Sequence, residues 1–160
     1  MGVPMKTESV WDYPRPPRLE PTPRRIRIVQ DGMTLVDTTT ALRILETSHP
    51  PVYYLPPSAV EMGRMQRSAR RGSFCEFKGV ATYWNLVTQA EIREDVAWSY
   101  ERPTAAYNAL ASHLAFYASR VDECWVDDEQ VVPQNGDFYG GWITKDLRGP
   151  FKGAPGTLGW

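Results

Sequence analysis

The sequence predicts a mainly β protein, in which antiparallel sheets pack in a sandwich-like arrangement and one main helix covers one side. Three observations favour this class. The chain of 160 residues contains 14 prolines and 12 glycines, which is typical of short strands joined by shaped loops. Short runs of alternating apolar residues recur between turn signals. Strands do not alternate with helices along the chain, so parallel strand–helix–strand units are not expected.

The first predicted hairpin lies near the start of the chain. Residues 25–30 (RIRIVQ) alternate, with both isoleucines on one face, and residues 33–38 return as the second strand. The Asp-Gly pair at 31–32 is a hairpin signal, because glycine accepts a positive φ without steric cost. Residues 41–45 (ALRIL) fit either a strand or a helical turn. Residues 58–72 predict a short irregular helix.

Two further hairpins and one strand follow. Residues 73–88 predict a hairpin that turns at the Lys-Gly pair 78–79, and residues 95–101 (DVAWSYE) predict a strand. Residues 123–132 predict a third hairpin with an acidic tip.

The main helix is predicted over residues 103–118. Pro103 suits a first helical turn. Tyr107, Leu110, Leu114 and Tyr117 recur at steps of three and four residues, which places them on one apolar stripe.

The predicted organisation is one core domain with two attached segments. A proline-rich N-terminal arm covers residues 1–24, and Trp11 and Tyr13 are expected to pin it to the domain. The core β domain covers residues 25–132. A tail rich in glycine and proline, residues 133–160, is expected to pack on that core.

Composition and motifs exclude several classes of function. The net charge of −1 gives no drive toward nucleic acid or membranes, and no apolar run approaches the roughly 20 residues that span a bilayer. The start of the chain lacks the apolar core of a signal peptide, so a cytoplasmic protein is expected. Cys75 and Cys124 stand far apart, which predicts reduced thiols and no metal site. No phosphate-binding glycine motif occurs, and no cofactor is expected.

Residues 46–57 (ETSHPPVYYLPP) form the first candidate site. Prolines on both sides stiffen the backbone, so little entropy remains to be lost there. If the intervening residues form a strand, Tyr53 and Tyr54 point to opposite sides, one to the core and one to a cleft. Glu46 and His49 are close enough to form an acid–base pair or to orient a ligand. The alternative is a structural loop histidine beside a solvated glutamate.

The second candidate is the segment around Cys75, Glu76 and Lys78. Lys78, beside a glycine turn, is placed to meet an anionic ligand, and Glu76 is placed to pair with it. A cysteine nucleophile needs a nearby base, for which His49 is a candidate. The third candidate is a set of aromatic residues that either packs the core or lines a pocket: Trp84, Trp98, Tyr100, Trp125 and Trp142.

Several segments together resemble the bacterial family called domain of unknown function 427: SVWDYPRPP, ETSHPPVYYLPP, FCEFKGVATYWNL, AWSYERPT and the closing GGWITKDLRGPFKGAPGTLGW. The resemblance implies a β-tent-like fold, whose relatives include the cereblon drug-binding domain and methionine sulfoxide reductase B. Those relatives hold zinc with four cysteines, whereas this chain has two, so the resemblance implies a fold closed without zinc. The resemblance implies that the pocket or framework residues are Glu46, His49, Tyr53, Lys78, Gly79, Trp98 and Tyr100.

The resulting expectation is a small-molecule-binding β domain, either a monomer or a homodimer. Its ligand-binding residues are predicted to be Glu46, His49, Tyr53, Lys78, Trp84, Trp98 and Tyr100. One alternative is an enzyme that uses Glu46 and His49 as its acid–base pair, with Cys75 or Lys78 as nucleophile. Another is a protein-interaction module built on the proline-rich start and the glycine-rich tail.

Overall fold

The structure, a computed structural model, describes residues 7–75, 77–136, 139–157 and 159–160. Short strands dominate this part of the chain. In chain order they are β1 (Glu8–Ser9), β2 (Arg18–Pro21), β3 (Ile26–Gln30), β4 (Met33–Thr38), β5 (Leu42–Leu45), β6 (Val52–Tyr54), β7 (Met65–Arg67), β8 (Phe74–Cys75), β9 (Gly79–Val80), β10 (Thr82–Val87), β11 (Ile92–Ser99), β12 (Leu114–Phe116), β13 (Glu123–Val126), β14 (Glu129–Gln130), β15 (Val132–Pro133), β16 (Trp142–Ile143) and β17 (Leu147–Arg148). The helical segments in the same residues are single 3₁₀ turns or short 3₁₀ runs: Val10–Asp12, Pro57–Ala59, Met62–Arg64, Ala105–Leu110 and Ala118–Arg120. The predicted mainly β class is confirmed.

Sheet I has the strand order β14-β13-β3-β4 and contains two of the predicted hairpins. The β3–β4 turn is at Asp31 and Gly32, whose φ angles of 54° and 73° lie in the left-handed region that glycine tolerates best. Ile26 and Ile28 are fully buried, so the alternating pattern identified the inner face of β3 correctly. The β13–β14 turn follows Val126 at the predicted acidic tip.

Sheet II has the strand order β12-β11-β10-β7, and its centre is the long antiparallel β10–β11 pair. The hairpin predicted over residues 73–88 is confirmed only in part: β8 pairs with β9 as a separate small unit, whereas β10 pairs with β7 and β11. The strand predicted over residues 95–101 corresponds to the second half of β11 and its following bridge residue.

Sheet III has the strand order β2-β5-β6, so residues 41–45 contribute a strand and not a helical turn. Its last strand continues into sheet II, because the backbones of Leu55 and Leu114 exchange two hydrogen bonds, of 2.8 and 2.9 Å. Residues on β6 therefore alternate between two different buried regions. Tyr53 points into the main core, and Tyr54 points into a second, aromatic cluster.

The predicted helix over residues 103–118 is wrong. The segment forms the 3₁₀ run Ala105–Leu110 and then strand β12, which pairs with β11. Ser112, with a φ of 62°, interrupts any continuous helix between them. All four residues of the apolar stripe are nevertheless buried. The pattern thus identified the buried positions, but pairing with β11 and with Leu55 decided the backbone conformation.

The predicted helix over residues 58–72 is wrong for the same reason. Two 3₁₀ turns, Pro57–Ala59 and Met62–Arg64, precede β7, which pairs with β10. Among the described residues, no helix is long and apolar enough to cross a membrane.

The first described residues are built into the fold. β1 pairs with β17 near the end of the chain, and β2 is the outer strand of sheet III. Arg43 on β5 holds both strands, since its guanidinium donates to the Glu8 carboxylate at 2.9 and 3.0 Å and to Glu20 at 2.7 Å. Trp11 donates to the Pro150 carbonyl at 2.8 Å, which links the two ends of the chain directly.

Candidate functional site

A cavity of about 410 Å³ lies beside β6, β11 and the β8–β9 hairpin. Its described lining divides into an aromatic wall and a polar side. The aromatic residues are Tyr54, Phe74, Phe77, Tyr83, Trp98, Tyr100, Tyr117 and Tyr139. The residues that carry polar or reactive side chains are Glu46, His49, Ser73, Cys75, Lys78, Gln134 and Lys152. A few polar groups set in an apolar wall are typical of small-molecule sites.

The strand between the two Pro-Pro pairs forms one wall of this cavity. Because successive side chains of a strand point to opposite faces, Val52 and Tyr54 face the cavity while Tyr53 does not. Tyr53 is 2% exposed and packs against Trp142, with ring centroids 5.2 Å apart. The opposite orientations of the two tyrosines were expected from strand geometry, but Tyr53, instead of Tyr54, was predicted to bind the ligand. That assignment does not match the geometry.

The aromatic wall is centred on Trp98. Its ring packs against Tyr117 at a centroid distance of 4.6 Å, and its indole N–H donates to the Tyr54 hydroxyl at 3.3 Å. Tyr54 in turn lies 6.3 Å from the ring of Tyr100. Burial raises the pKa of both the Tyr54 and Tyr100 phenols, so these groups remain neutral at physiological pH. The wall therefore offers ring faces and uncharged hydroxyls.

Glu46 and His49 stand together at the polar side, as the sequence predicted. The imidazole Nε2 lies 3.9 Å from a Glu46 carboxylate oxygen, and Arg15 approaches the same oxygen at 3.6 Å. Burial lowers the pKa of His49, and the negative charge of Glu46 opposes that shift. Repulsion from Lys152, Arg15 and Lys78 lowers the pKa further. His49 is therefore neutral at pH 7.

Gln134 fixes the orientation of the His49 ring. The Gln134 carbonyl oxygen accepts from the Gly141 N–H at 3.0 Å, which determines the direction of the amide. Its NH₂ group then donates to the Lys152 carbonyl at 2.7 Å and lies 3.3 Å from His49 Nδ1. Because an amide NH₂ can only donate, Nδ1 is the acceptor, and the single proton of the neutral ring resides on Nε2.

Two lysines lie on the same cavity. Lys152 donates to the Trp160 carbonyl at 2.9 Å, and its Nζ lies 5.9 Å from the centre of the Tyr139 ring. Lys78 follows the β8 strand and lines the cavity from the hairpin side. The Glu76 partner proposed for Lys78 lies outside the described residues. Both ammonium groups lower the pKa of His49, whereas the carboxylate of Glu46 raises it.

Cys75 lines the cavity and is partly exposed, whereas Cys124 is buried in the main core. Among the described residues, no hydrogen bond joins the Cys75 thiol or the Lys78 ammonium to His49. The same residues contain no group of three or more His, Cys, Asp or Glu side chains placed to hold a metal ion.

The structure brings most of the predicted site residues together. The cavity is lined by Glu46, His49, Cys75, Lys78, Trp98 and Tyr100. Trp84 lies elsewhere, because it alternates with Tyr83 on β10 and packs against the main core. Its indole N–H donates to Ser99 at 2.9 Å, and Arg67 lies over its ring.

Sequence reasoning missed several lining residues, of which Gln134, Tyr139 and Lys152 come from the last part of the chain. One signal was available for Lys152. The triplet Phe-Lys-Gly occurs at residues 77–79 and again at 151–153, and the structure places the lysines of both copies on one cavity.

The described residues define a mainly β protein with an aromatic-walled cavity whose polar side carries two lysines, a glutamate and a histidine. Residues 18–127 match the model of the family described as a domain of unknown function (DUF427), and the chain belongs to that family. No curated protein matches the chain. The matched range includes the aromatic lining residues except Tyr139, which lies beyond it together with Gln134 and Lys152.

Proposed function

We propose that this protein is a small-molecule-binding β domain and that the cavity beside Trp98 is its binding site. One observation carries the proposal. Residues from distant parts of the sequence, among them Glu46, Lys78, Trp98 and Lys152, converge on a single cavity with a ring-lined wall and a polar side. The rings of the wall are themselves buried, with Tyr54 1% and Trp98 8% exposed, so the support comes from the polar side chains that meet them at the cavity.

A thermal-shift screen across metabolite classes tests this function. We expect at least one class to raise the melting temperature of the wild type. Cys75→Trp places a large side chain in the cavity and should abolish that shift. Val132→Trp is the matched control, since Val132 is exposed, on β15, and outside the cavity lining, and it should retain the shift. Failure of every class to stabilise the wild type would refute the proposal.

The second candidate function is an enzyme that uses Glu46 and His49 as an acid–base pair. The observation in its favour is that Cys75 lines the same cavity as this pair. A chloroacetamide probe should then label Cys75 in the wild type, and labelling should be much slower in His49→Ala. Equal labelling rates in the two proteins would remove the support for a Cys-His nucleophile.

A further inference from the structure

We propose that the ligand is a flat organic anion, whose ring lies against the Trp98 wall and whose carboxylate or phosphate group is held by Lys78, Lys152 and the Nε2–H of His49. This inference rests on the proposed function and specifies the class of ligand. Each of its parts follows from a different feature of the cavity.

The first feature is the direction of the donor on His49. Gln134 is held by the Gly141 N–H and therefore presents its NH₂ group to Nδ1. This arrangement leaves Nε2–H without a hydrogen bond among the described residues, 3.9 Å from the Glu46 carboxylate. If Nδ1 were protonated, its N–H would face the NH₂ group of Gln134, and two donors cannot form a hydrogen bond. The imidazole therefore stays neutral and presents one N–H donor, at Nε2. Gln134 is thus a positioning residue for the site.

The second feature is the balance of charge. Among the described lining residues the full charges are those of Lys78, Lys152 and Glu46. The negative charge of Glu46 is partly countered by the half-exposed Arg15 guanidinium at 3.6 Å. Lys152 has three N–H donors and uses one on the Trp160 carbonyl, which leaves donors for a ligand. The cavity is therefore electrostatically suited to an anion.

The third feature is the shape of the wall. Aromatic faces accept either a flat ring or a cation. The two ammonium groups would repel a cation, so the electrostatics select the ring. Gly140 lies so close to the Trp98 ring that a Cβ at this position would come within 2.1 Å of Cη2. The backbone at Gly140 therefore covers part of the indole and narrows the cavity beside it. A narrow cavity of this kind favours a flat chemical group.

A matched series of probes tests the class of ligand by isothermal titration calorimetry on the full chain. The series is naphthoate, naphthyl phosphate, the uncharged naphthamide and the naphthylmethylammonium cation. We expect at least one of the two anions to bind about tenfold or more tightly than the amide, and the cation to bind most weakly. The comparison of naphthoate with naphthyl phosphate shows which anionic group the site prefers.

Variants assign the preference to the cavity. Lys78→Met should reduce the affinity for the preferred anion by about tenfold and leave the affinity for naphthamide nearly unchanged. Lys78→Arg should retain the preference, because it keeps the charge. Lys145→Met is the control, since Lys145 is exposed and outside the lining of this cavity.

Equal binding of the anions and the amide, or tighter binding of the cation, would overturn the inference and leave the proposed function intact. An equal loss of affinity in Lys78→Met and Lys145→Met would overturn it as well. Absence of binding by all four probes would also count against it, and the metabolite screen would then decide separately whether the proposed function stands.

Discussion

The close contact between Gly140 and Trp98 gives a sharp prediction about the wall of the cavity. A Cβ at residue 140 would lie 2.1 Å from Cη2 and 2.7 Å from Cζ3 of the indole, whereas ordinary contacts are 3.4–4 Å. In Gly140→Ala, either the indole ring or the backbone of residues 139–141 must therefore move by more than an ångström. The φ angle of Gly140 is not in the left-handed region, so the cost is steric and does not arise from backbone strain.

The indole ring cannot move freely. Its N–H donates to Tyr54, and its face packs against Tyr117. Loss of that hydrogen bond costs about 1 kcal/mol, and overpacking of a close-packed region typically costs about 1–3 kcal/mol. We expect Gly140→Ala to lower the free energy of unfolding by about 2–3 kcal/mol and to weaken the binding of any ligand that lies on Trp98.

Urea denaturation followed by tryptophan fluorescence measures this change. Gly63→Ala is the matched control, because no heavy atom lies within 4 Å of the Cβ position at Gly63. Its free energy of unfolding should stay within about 0.5 kcal/mol of the wild type. If Gly140→Ala is as stable as Gly63→Ala and its indole emission is unchanged, residues 139–141 do not lie against Trp98, and the cavity is not bounded as described.

Three further predictions concern the pH response, the thiols and the N-terminal strands. Folding lowers the pKa of His49 below its ordinary value of about 6.5. The contribution of His49 to the free energy of unfolding is therefore fully present above about pH 6.5, and it decreases as the pH falls from there toward the lower pKa of the folded state. Urea denaturation at several pH values in this range should show the decrease in the wild type. If the free energy of unfolding of His49→Gln depends on pH in the same way, His49 is not its cause. A thiol reagent should modify Cys75 quickly in the native protein and Cys124 only on unfolding, because Cys124 is buried and its pKa is raised. A ligand in the cavity should slow the modification of Cys75 alone. Equal rates for the two thiols would contradict the burial of Cys124 in the core. Arg43→Met should lower the free energy of unfolding by about 2 kcal/mol. This is less than the ~3–5 kcal/mol of a fully buried pair, because the Glu8 carboxylate is about one-third exposed. A loss below about 0.5 kcal/mol would mean that these ion pairs do not hold β1 in place.

Local patterns in the sequence predicted the hairpins and much of the site. The Asp31-Gly32 turn and the alternation in β3 depend on neighbouring residues only, so a sequence reading can identify them. The opposite orientations of Tyr53 and Tyr54 follow from the geometry of a strand. Glu46 and His49 are adjacent on the cavity because only two residues separate them, in a turn closed by the His49 N–H and the Glu46 carbonyl.

Contacts between distant residues account for what the sequence did not predict. The helical spacing at residues 103–118 was real, but β12 exchanges hydrogen bonds with β11 and with Leu55, which are far away in the sequence. Gln134 reaches His49 across 85 residues, and no local pattern marks such a pair. Tyr53 was predicted to bind the ligand instead of Tyr54, because the alternation of side chains along a strand does not show which of its two faces lines a cavity.

The most direct test of the central claim is a crystal structure of the protein grown with the preferred naphthyl anion. We predict density for the ring against Trp98, with the anionic group within hydrogen-bonding distance of the Lys78 and Lys152 ammonium groups. A ring bound elsewhere on the surface, or an anionic group turned away from both lysines toward solvent, would contradict the account.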